Sequence, residues 1–283
     1  MVLCEFNYAD SLVCFSREFT VSKRNLVKSD SVISSSTFTA HEIYKLLENN
    51  VIFNSSTQHD AEEFLTYILD NLHEELVHVS KLFVKQTEIV SSADANGEWT
   101  EIGPRNKERE TTRILKDKSV VTNLFCGILR SEIIKRNSRS SLTYQPFCTL
   151  QLDIQDESVL SISNALNNYF KKEILDSGFS KKLSIEYSPK MLVLHLKRFY
   201  LKNNVVMKLL RTIRFDNSLS LDEYISNPLQ SVYKLFAIIH HHGESADKGH
   251  YSADVYHSSQ KICFLKCPTC FFIDVSMILC KLK

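Results

Sequence analysis

Apolar residues recur at three- and four-residue steps in two segments of the N-terminal third of the chain. Residues 57–76, TQHDAEEFLTYILDNLHEEL, carry one such stripe and predict a long amphipathic helix. Thr57 is placed to cap it, and acidic residues fill its first turn, where they complement the helix dipole. Residues 38–50 predict a shorter helix, which Thr39 and Glu42 begin with a capping box.

From about residue 120 the period of the apolar positions changes to two, which is typical of strands. The predicted strands lie at residues 124–134, 147–155, 191–201, 232–242 and 250–257. The third, MLVLHLKRFYL, is a continuous apolar run ending in charge, so it predicts a buried strand that emerges at the surface. The basic run at 135–140 predicts a turn, and residues 161–172 predict a short helix. Helices first and strands later indicate an α+β fold.

The 283 residues predict a single domain with four parts. About residues 10–85 are helical, and residues 91–111 are a polar, glycine-containing surface loop. About residues 115–257 are rich in strands. Residues 258–283 form a tail with a different character, in which apolar residues and cysteines are crowded.

The charge of the chain is nearly balanced, with 34 basic and 33 acidic residues and a formal net charge of +1. Such a balance argues against a nucleic-acid or membrane partner held by bulk charge. The N-terminus lacks the basic segment of a signal peptide, and the longest apolar run is shorter than the roughly 20 residues of a membrane span. We therefore expect a cytoplasmic protein, possible also in the nucleus.

The eight cysteines do not suggest a disulfide framework, so reduced thiols are expected. Cys4, Cys14, Cys126 and Cys148 are scattered, whereas Cys263, Cys267, Cys270 and Cys280 crowd the tail. Cys267 and Cys270 have the CxxC spacing of zinc ligands, but a closed zinc site needs four ligands from one packed site. A chance cluster is the favoured interpretation, and neither a metal nor another cofactor is expected.

His250 follows Gly249 at the start of a predicted strand, after a long polar loop. A catalytic imidazole needs such a rigid base with an open approach, and a glycine lets another backbone come close. A structural histidine in a hairpin is the alternative, since the chain has ten histidines and His240, His241 and His242 attract equal attention.

Three segments, in order, resemble sequence boxes of the ubiquitin-specific proteases. QHDAEEFL at 58–65 resembles their glutamine box, LVLHLKRF at 192–199 their leucine-rich strand, and KGHYSADVYH at 248–257 their histidine box. FCTLQLDIQ and the segment leading into the histidine box are similar to the subfamily of ubiquitin carboxyl-terminal hydrolase ten. The resemblance covers about residues 10–257.

The resemblance implies a papain-like fold of thumb, palm and fingers, with a truncated helical thumb. It also implies thiol-dependent hydrolysis of isopeptide and peptide bonds after the C-terminus of ubiquitin, with ubiquitin and ubiquitinated proteins as partners. By the motif match His250 is the general base, and Gly249 and Tyr251 adjoin the channel for the ubiquitin tail. Asp60 and Glu63, one helical turn apart, are expected to contact arginines of that tail.

The chain departs from the family pattern in two places. The family carries its nucleophile in a cysteine box upstream of the glutamine box, and we expect this box to be missing from the chain, since Cys4 and Cys14 lack its flanking residues. The acid that orients the base is replaced by a stretch whose first acid is Asp274, a candidate orienter or a chance aspartate. The alternative function is therefore a form that binds ubiquitin without cleaving it.

Overall fold

The fold is described from a computed structural model of the chain. The structure describes residues 60–87, 110–112, 117–135, 140–175, 178–226, 231–245, 248–255 and 276–281. The chain divides into two compact units, Met1–Ser91 and Ser92–Lys283. Within the described residues, no helix is both long enough and apolar enough to cross a membrane.

The first unit contains a long helix, α1 (Ala61–Thr87), which confirms the helix predicted over 57–76 and extends beyond it. The Oδ1 atom of Asp60 accepts hydrogen bonds from the backbone N–H groups of Glu62 (2.7 Å) and Glu63 (3.1 Å). These bonds satisfy two of the donors that a helix start leaves open, so Asp60 is the observed cap. The predicted cap, Thr57, and the helix predicted over 38–50 lie outside the described residues.

The second unit combines short helices with many strands. Its helices are α2 (Val120–Phe125) and α3 (Ile162–Tyr169), with a 3-10 helix at Asp222–Tyr224. Its strands are β1 (Glu110–Thr112), β2 (Gly127–Lys135), β3 (Ser141–Phe147), β4 (Thr149–Asp153), β5 (Glu173–Ile174), β6 (Phe179–Tyr187), β7 (Met191–Lys197), β8 (Phe199–Lys202), β9 (Val205–Lys208), β10 (Ser218–Ser220), β11 (Val232–His242), β12 (His250–Val255) and β13 (Ser276–Lys281).

One sheet has the strand order β1-β3-β2-β6-β5. Its antiparallel pair β2 and β3 begins at the register partners Gly127 and Phe147. This register brings together the residues just outside the pair, and Cys126 and Cys148 form a disulfide with their Cα atoms 4.2 Å apart. The expectation of unpaired, reduced cysteines is therefore wrong for these two. They are 22 residues apart in sequence, and only the strand pairing shows that they meet.

The other large sheet has the order β10-β11-β13-β7-β4, with β12 paired to β11. Alternate residues along β4 and just after it face the apolar core of this sheet. Leu150, Leu152 and Ile154 are fully buried there, as the period of two predicts. Leu192, Val193 and Leu194 of β7 are also fully buried, which confirms a strand covered on both faces. Helix α3 contacts β4 and buries Ala165 and Leu166. This sheet carries the hairpin of β11 and β12.

The tail, which the sequence sets apart at 258–283, ends in a strand of this sheet. β13 lies between β11 and β7 and pairs antiparallel with both, so it occupies an interior position. The prediction that residues 258–283 are separate from the strand-rich region is thus wrong for Ser276–Lys281. β7 needs a partner on its second edge, and β13 supplies it across five register pairs.

Three predicted boundaries also differ. Leu124 and Phe125 belong to α2, and only the rest of the strand predicted at 124–134 is extended. Glu110 and Thr111, predicted in the surface loop, pair in parallel with β3. The run at 191–201 divides at Arg198, which is only 1% exposed, into β7 and β8, and it reaches the surface on either side of this residue, at Lys197 and Leu201.

Candidate active site

The hairpin of β11 and β12 presents two different faces. Its register pairs His242 with His250, His241 with Tyr251, and His240 with Ser252. Because successive residues of a strand point to opposite sides, the pair His242 and His250 lies on one face, and the pair His241 and Tyr251 lies on the other. The three consecutive histidines of the sequence therefore have different surroundings.

His250 is the first residue of β12 and its side chain is exposed. Its ring lies over that of His242, with centroids 6.1 Å apart and an angle of 27° between the ring planes. The Nε2 atom of His242 shares a hydrogen bond with the hydroxyl of Ser252 at 2.7 Å. His250 thus combines a backbone fixed in the sheet with an imidazole open to an incoming group, as a general base requires.

Gly249 lies where no side chain fits. A Cβ atom built on it would be 2.7 Å from Cε1 of His241 and would overlap both Nε2 of that ring and the carbonyl oxygen of His242. The sequence predicts that another backbone segment comes close to Gly249, and in the structure this segment is β11. The contact of Gly249 with ubiquitin stays a prediction.

His241 is 1% exposed and is enclosed by neighbours from both strands and from β9. Its ring meets the Tyr251 ring edge to face, with centroids 4.9 Å apart. On the β9 side, the Nζ atom of Lys208 lies 3.0 Å from Nδ1 of the imidazole. An ammonium only donates, so Nδ1 is the acceptor and the ring proton of His241 is on Nε2. The Tyr251 ring is thus fixed against His241, on the face opposite to the His250 side chain, and its role in a substrate channel stays a prediction.

A hydrogen bond between a buried histidine and a carboxylate on the His250 face is not predicted by the sequence. Nε2 of His240 lies 3.0 Å from Oδ2 of Asp254, and their side chains are 6% and 14% exposed. The alternation HxH in β11 against SxD in β12 is the only sequence signal for this pair, and it becomes specific only when the register is known. The pair ties the two strands together beyond the exposed end of the hairpin.

The predicted acidic contacts belong to the first unit. Asp60 is half-buried and caps α1, and Glu63 is exposed in its first turn. His250 belongs to the second unit, so the meeting of these acids with His250 in one site stays a prediction.

Several predicted residues lie outside the described part of the chain. These are the candidate orienter Asp274, the cysteines Cys4 and Cys14, and the pair Cys267 and Cys270. Among the described residues, no group of three or more His, Cys, Asp and Glu side chains is arranged to hold a metal ion. Cys126 and Cys148 are bonded to each other.

The structure of the SAGA Ubp8/Sgf11/Sus1/Sgf73 DUB module bound to ubiquitin aldehyde contains a chain of similar fold. The TM-score is 0.64 at 22% sequence identity, and the match covers 89% of this chain and 56% of that chain. At this identity the likeness shows the fold alone. It confirms the α+β, papain-like architecture that the resemblance implies.

Sequence relatives extend the comparison. Ubiquitin carboxyl-terminal hydrolase 10-A of Xenopus laevis is 34% identical over 255 residues, which are 76% of this chain and 32% of that protein. Ubiquitin hydrolase B of Dictyostelium discoideum is 32% identical over 232 residues, 76% of this chain and 51% of that protein. The chain spans about a third to a half of the length of these relatives.

A family model described as ubiquitin carboxyl-terminal hydrolase matches residues 6–272. The match includes the glutamine box, the leucine-rich strand and the histidine box, and it extends at both ends beyond the region of resemblance, residues 10–257. Because this model covers most of the chain, the protein belongs to the ubiquitin carboxyl-terminal hydrolase family.

Proposed function

We propose that the protein is a thiol-dependent deubiquitinase in which His250 is the general base. The observation that carries this proposal is the exposed imidazole of His250 at the start of a strand, directly after a glycine that leaves no room for a side chain. Family membership gives the class of reaction, hydrolysis of bonds after the C-terminus of ubiquitin.

In this chemistry a cysteine thiolate attacks the carbonyl carbon, and the histidine accepts the thiol proton and returns it to the leaving amine. His250 would perform both transfers, and Asp274 is the proposed orienting acid. We assign no cysteine of this chain as the nucleophile, because none has the flanking residues of the family's cysteine box.

Ubiquitin is the proposed partner. The tail of ubiquitin is rich in arginine, and a carboxylate paired with arginine makes a stronger, charge-assisted hydrogen bond than a neutral pair does. Asp60 and Glu63 are the proposed contacts for these arginines, and Gly249 and Tyr251 are proposed to adjoin the narrow end of the tail. The solved relative bound to ubiquitin aldehyde supports this choice of partner.

The first experiment uses the 283-residue chain in two assays: binding to isotope-labelled ubiquitin by NMR, and hydrolysis of a ubiquitin C-terminal amide reporter. We expect binding without turnover, because no cysteine of the chain has the flanking residues of the family's nucleophile. Absence of binding would contradict ubiquitin as the partner. Turnover that His250→Ala abolishes would locate a nucleophile within the chain, with Cys14 tested first.

The second experiment repeats the reporter assay with the polypeptide translated from the whole coding sequence. If that polypeptide includes a cysteine box, we expect turnover, and His250→Ala should lower kcat/KM by roughly 10³-fold or more, as loss of a catalytic base does in related chemistry. The matched control is His78→Ala, which removes an exposed histidine of α1 and should leave kcat/KM unchanged. Binding with no turnover in this polypeptide would favour the alternative function, a ubiquitin-binding form that does not cleave.

A further inference from the structure

The loop that ends at His250 has a narrow neck. It leaves β11 at Gly243 and returns to β12 through Lys248 and Gly249. Gly243 has a φ of +119°, and a Cβ atom built there would be 2.8 Å from the carbonyl oxygen of Lys248 and 3.1 Å from Cα of Gly249. The two ends of the loop are therefore in backbone contact, and the position of Gly243 limits where Gly249 and His250 can lie.

Lys208, the last residue of β9, reaches this neck from another hairpin. Its Nζ atom donates to the carbonyl oxygens of Gly243 (2.7 Å) and His241 (2.9 Å) and to Nδ1 of His241 (3.0 Å). An ammonium has three N–H groups, so these three bonds use all of its donors. The ammonium also lies 5.8 Å from the ring centroid of Phe199, whose ring meets His241 edge to face.

Lys208 is linked to Gly249, the residue before His250, through the ring of His241. The His241 ring, held through Nδ1, fills the space that a side chain on Gly249 would need. A shift of this ring or of the Gly243 carbonyl would therefore change the space left for the backbone of Gly249. The path runs from Lys208 through His241 to Gly249, on the face of the hairpin opposite to the His250 side chain.

We propose that Lys208 is a positioning residue for His250: it fixes the neck of the 243–249 loop and so orients the imidazole. The role of His250 as the base rests on the proposed function, whereas the restraint of the neck does not. A charged donor is suited to this place because two carbonyl oxygens and a ring nitrogen converge on one point.

The test compares Lys208→Met, which keeps the length of the side chain and removes its donors, with Lys202→Met, which changes an exposed lysine of the same hairpin. Backbone amide hydrogen exchange is measured by NMR in the absence of ubiquitin. We expect Lys208→Met to speed exchange at Gly249, His250 and Tyr251 by roughly tenfold or more, with exchange in β7 unchanged. Lys202→Met should leave both regions unchanged. Uniform acceleration throughout the second unit, or no change at the neck, would overturn the proposal.

Lys208→Arg keeps the test decisive if Lys208→Met does not fold. Arginine retains the charge, but its planar fork cannot reproduce three diverging N–H bonds, so faster exchange confined to the neck is again expected. Equal exchange in Lys208→Arg and the unchanged protein would overturn the proposal.

A kinetic measurement separates positioning from a purely structural role. In the reporter assay with the whole polypeptide, Lys208→Met should lower kcat by roughly 10–100-fold and leave KM within about twofold, because a misplaced base slows the chemical step without removing substrate contacts. An unchanged kcat would contradict the proposal. If the neck loosens in a protein that shows no turnover at all, the restraint stands and the proposed function fails.

Discussion

At the scale of single residues, Arg198 shows how a buried charge shapes the chain. It follows the exposed Lys197 directly, yet it is only 1% exposed. One of its terminal nitrogens donates to the carbonyl oxygens of Leu209 (2.9 Å) and Arg211 (2.7 Å). These bonds join the end of β7 to the segment after β9, the strand that carries Lys208. A sequence rule that places charge at the surface cannot distinguish these two neighbouring basic residues.

Replacing Arg198 therefore has a structural cost that replacing Lys197 does not have. Arg198→Met should lower the free energy of unfolding by about 2–4 kcal/mol, because the two carbonyl oxygens lose the charged donor that the buried guanidinium supplies. Lys197→Met, the matched control, should change it by less than about 0.5 kcal/mol. Denaturant unfolding followed by circular dichroism measures both. Equal effects of the two substitutions would show that the Arg198 bonds contribute little to stability.

At the scale of elements, the start of α1 combines a structural and a proposed functional role. Asp60 accepts hydrogen bonds from two backbone N–H groups at the helix start, and its charge also complements the helix dipole there. Glu63 is exposed, and its carboxylate is available for an outside partner. The structural role and the proposed functional role can thus be separated by substitutions that keep the cap.

Asp60→Asn retains a capping oxygen, and Glu63→Gln retains the shape of the side chain, so the double variant removes charge alone. We expect its melting temperature to stay within a few degrees of that of the unchanged protein, while ubiquitin binding weakens about tenfold or more. Asp70→Asn with Glu74→Gln removes the same charge further along α1 and should leave binding unchanged. A loss of stability with unchanged binding would reduce Asp60 and Glu63 to helix-end charges.

At the scale of the whole molecule, the second unit depends on a strand that is distant in sequence from its neighbours. β13 separates β7 from β11, and Ile278 is in register with Val193 on one side and Ala237 on the other. Among the described strands of this sheet, β11, which leads into the neck of the His250 loop, is therefore joined to the apolar β7 through β13. Loss of β13 would leave the ladder edges of both strands unpaired.

Proline at the centre of β13 tests this dependence. Ile278→Pro removes a backbone donor from an interior strand and should lower the free energy of unfolding by about 3 kcal/mol or more. Ile174→Pro, on the edge strand β5, should cost about 1 kcal/mol or less, because edge strands tolerate proline. Circular dichroism during denaturant unfolding compares them. Similar small losses in both variants would place β13 outside the cooperative core.

How much of the site follows from the sequence depends on the range of the interactions. Local periodicity predicts α1, the β4 strand and the hairpin of β11 and β12, since each depends on contacts between near neighbours. The exposed His250 beside Gly249 is also predicted, because loop, glycine and strand start follow one another in the chain. The hydrogen bond between His240 and Asp254, and the bonds of Lys208, are not predicted, because they depend on register and on a second hairpin.

The sequence by itself determined the class of fold, the family and the candidate base, because these are carried by periodic patterns and by boxes of adjacent residues. Only the tertiary structure decided that Cys126 bonds to Cys148 and that Lys208 bonds to the neck of the loop before His250. It also decided that β13, from the tail, lies between β11 and β7. Each of these joins residues far apart in the chain. Sequence spacing does not encode such distances, whereas strand pairing and packing set them directly.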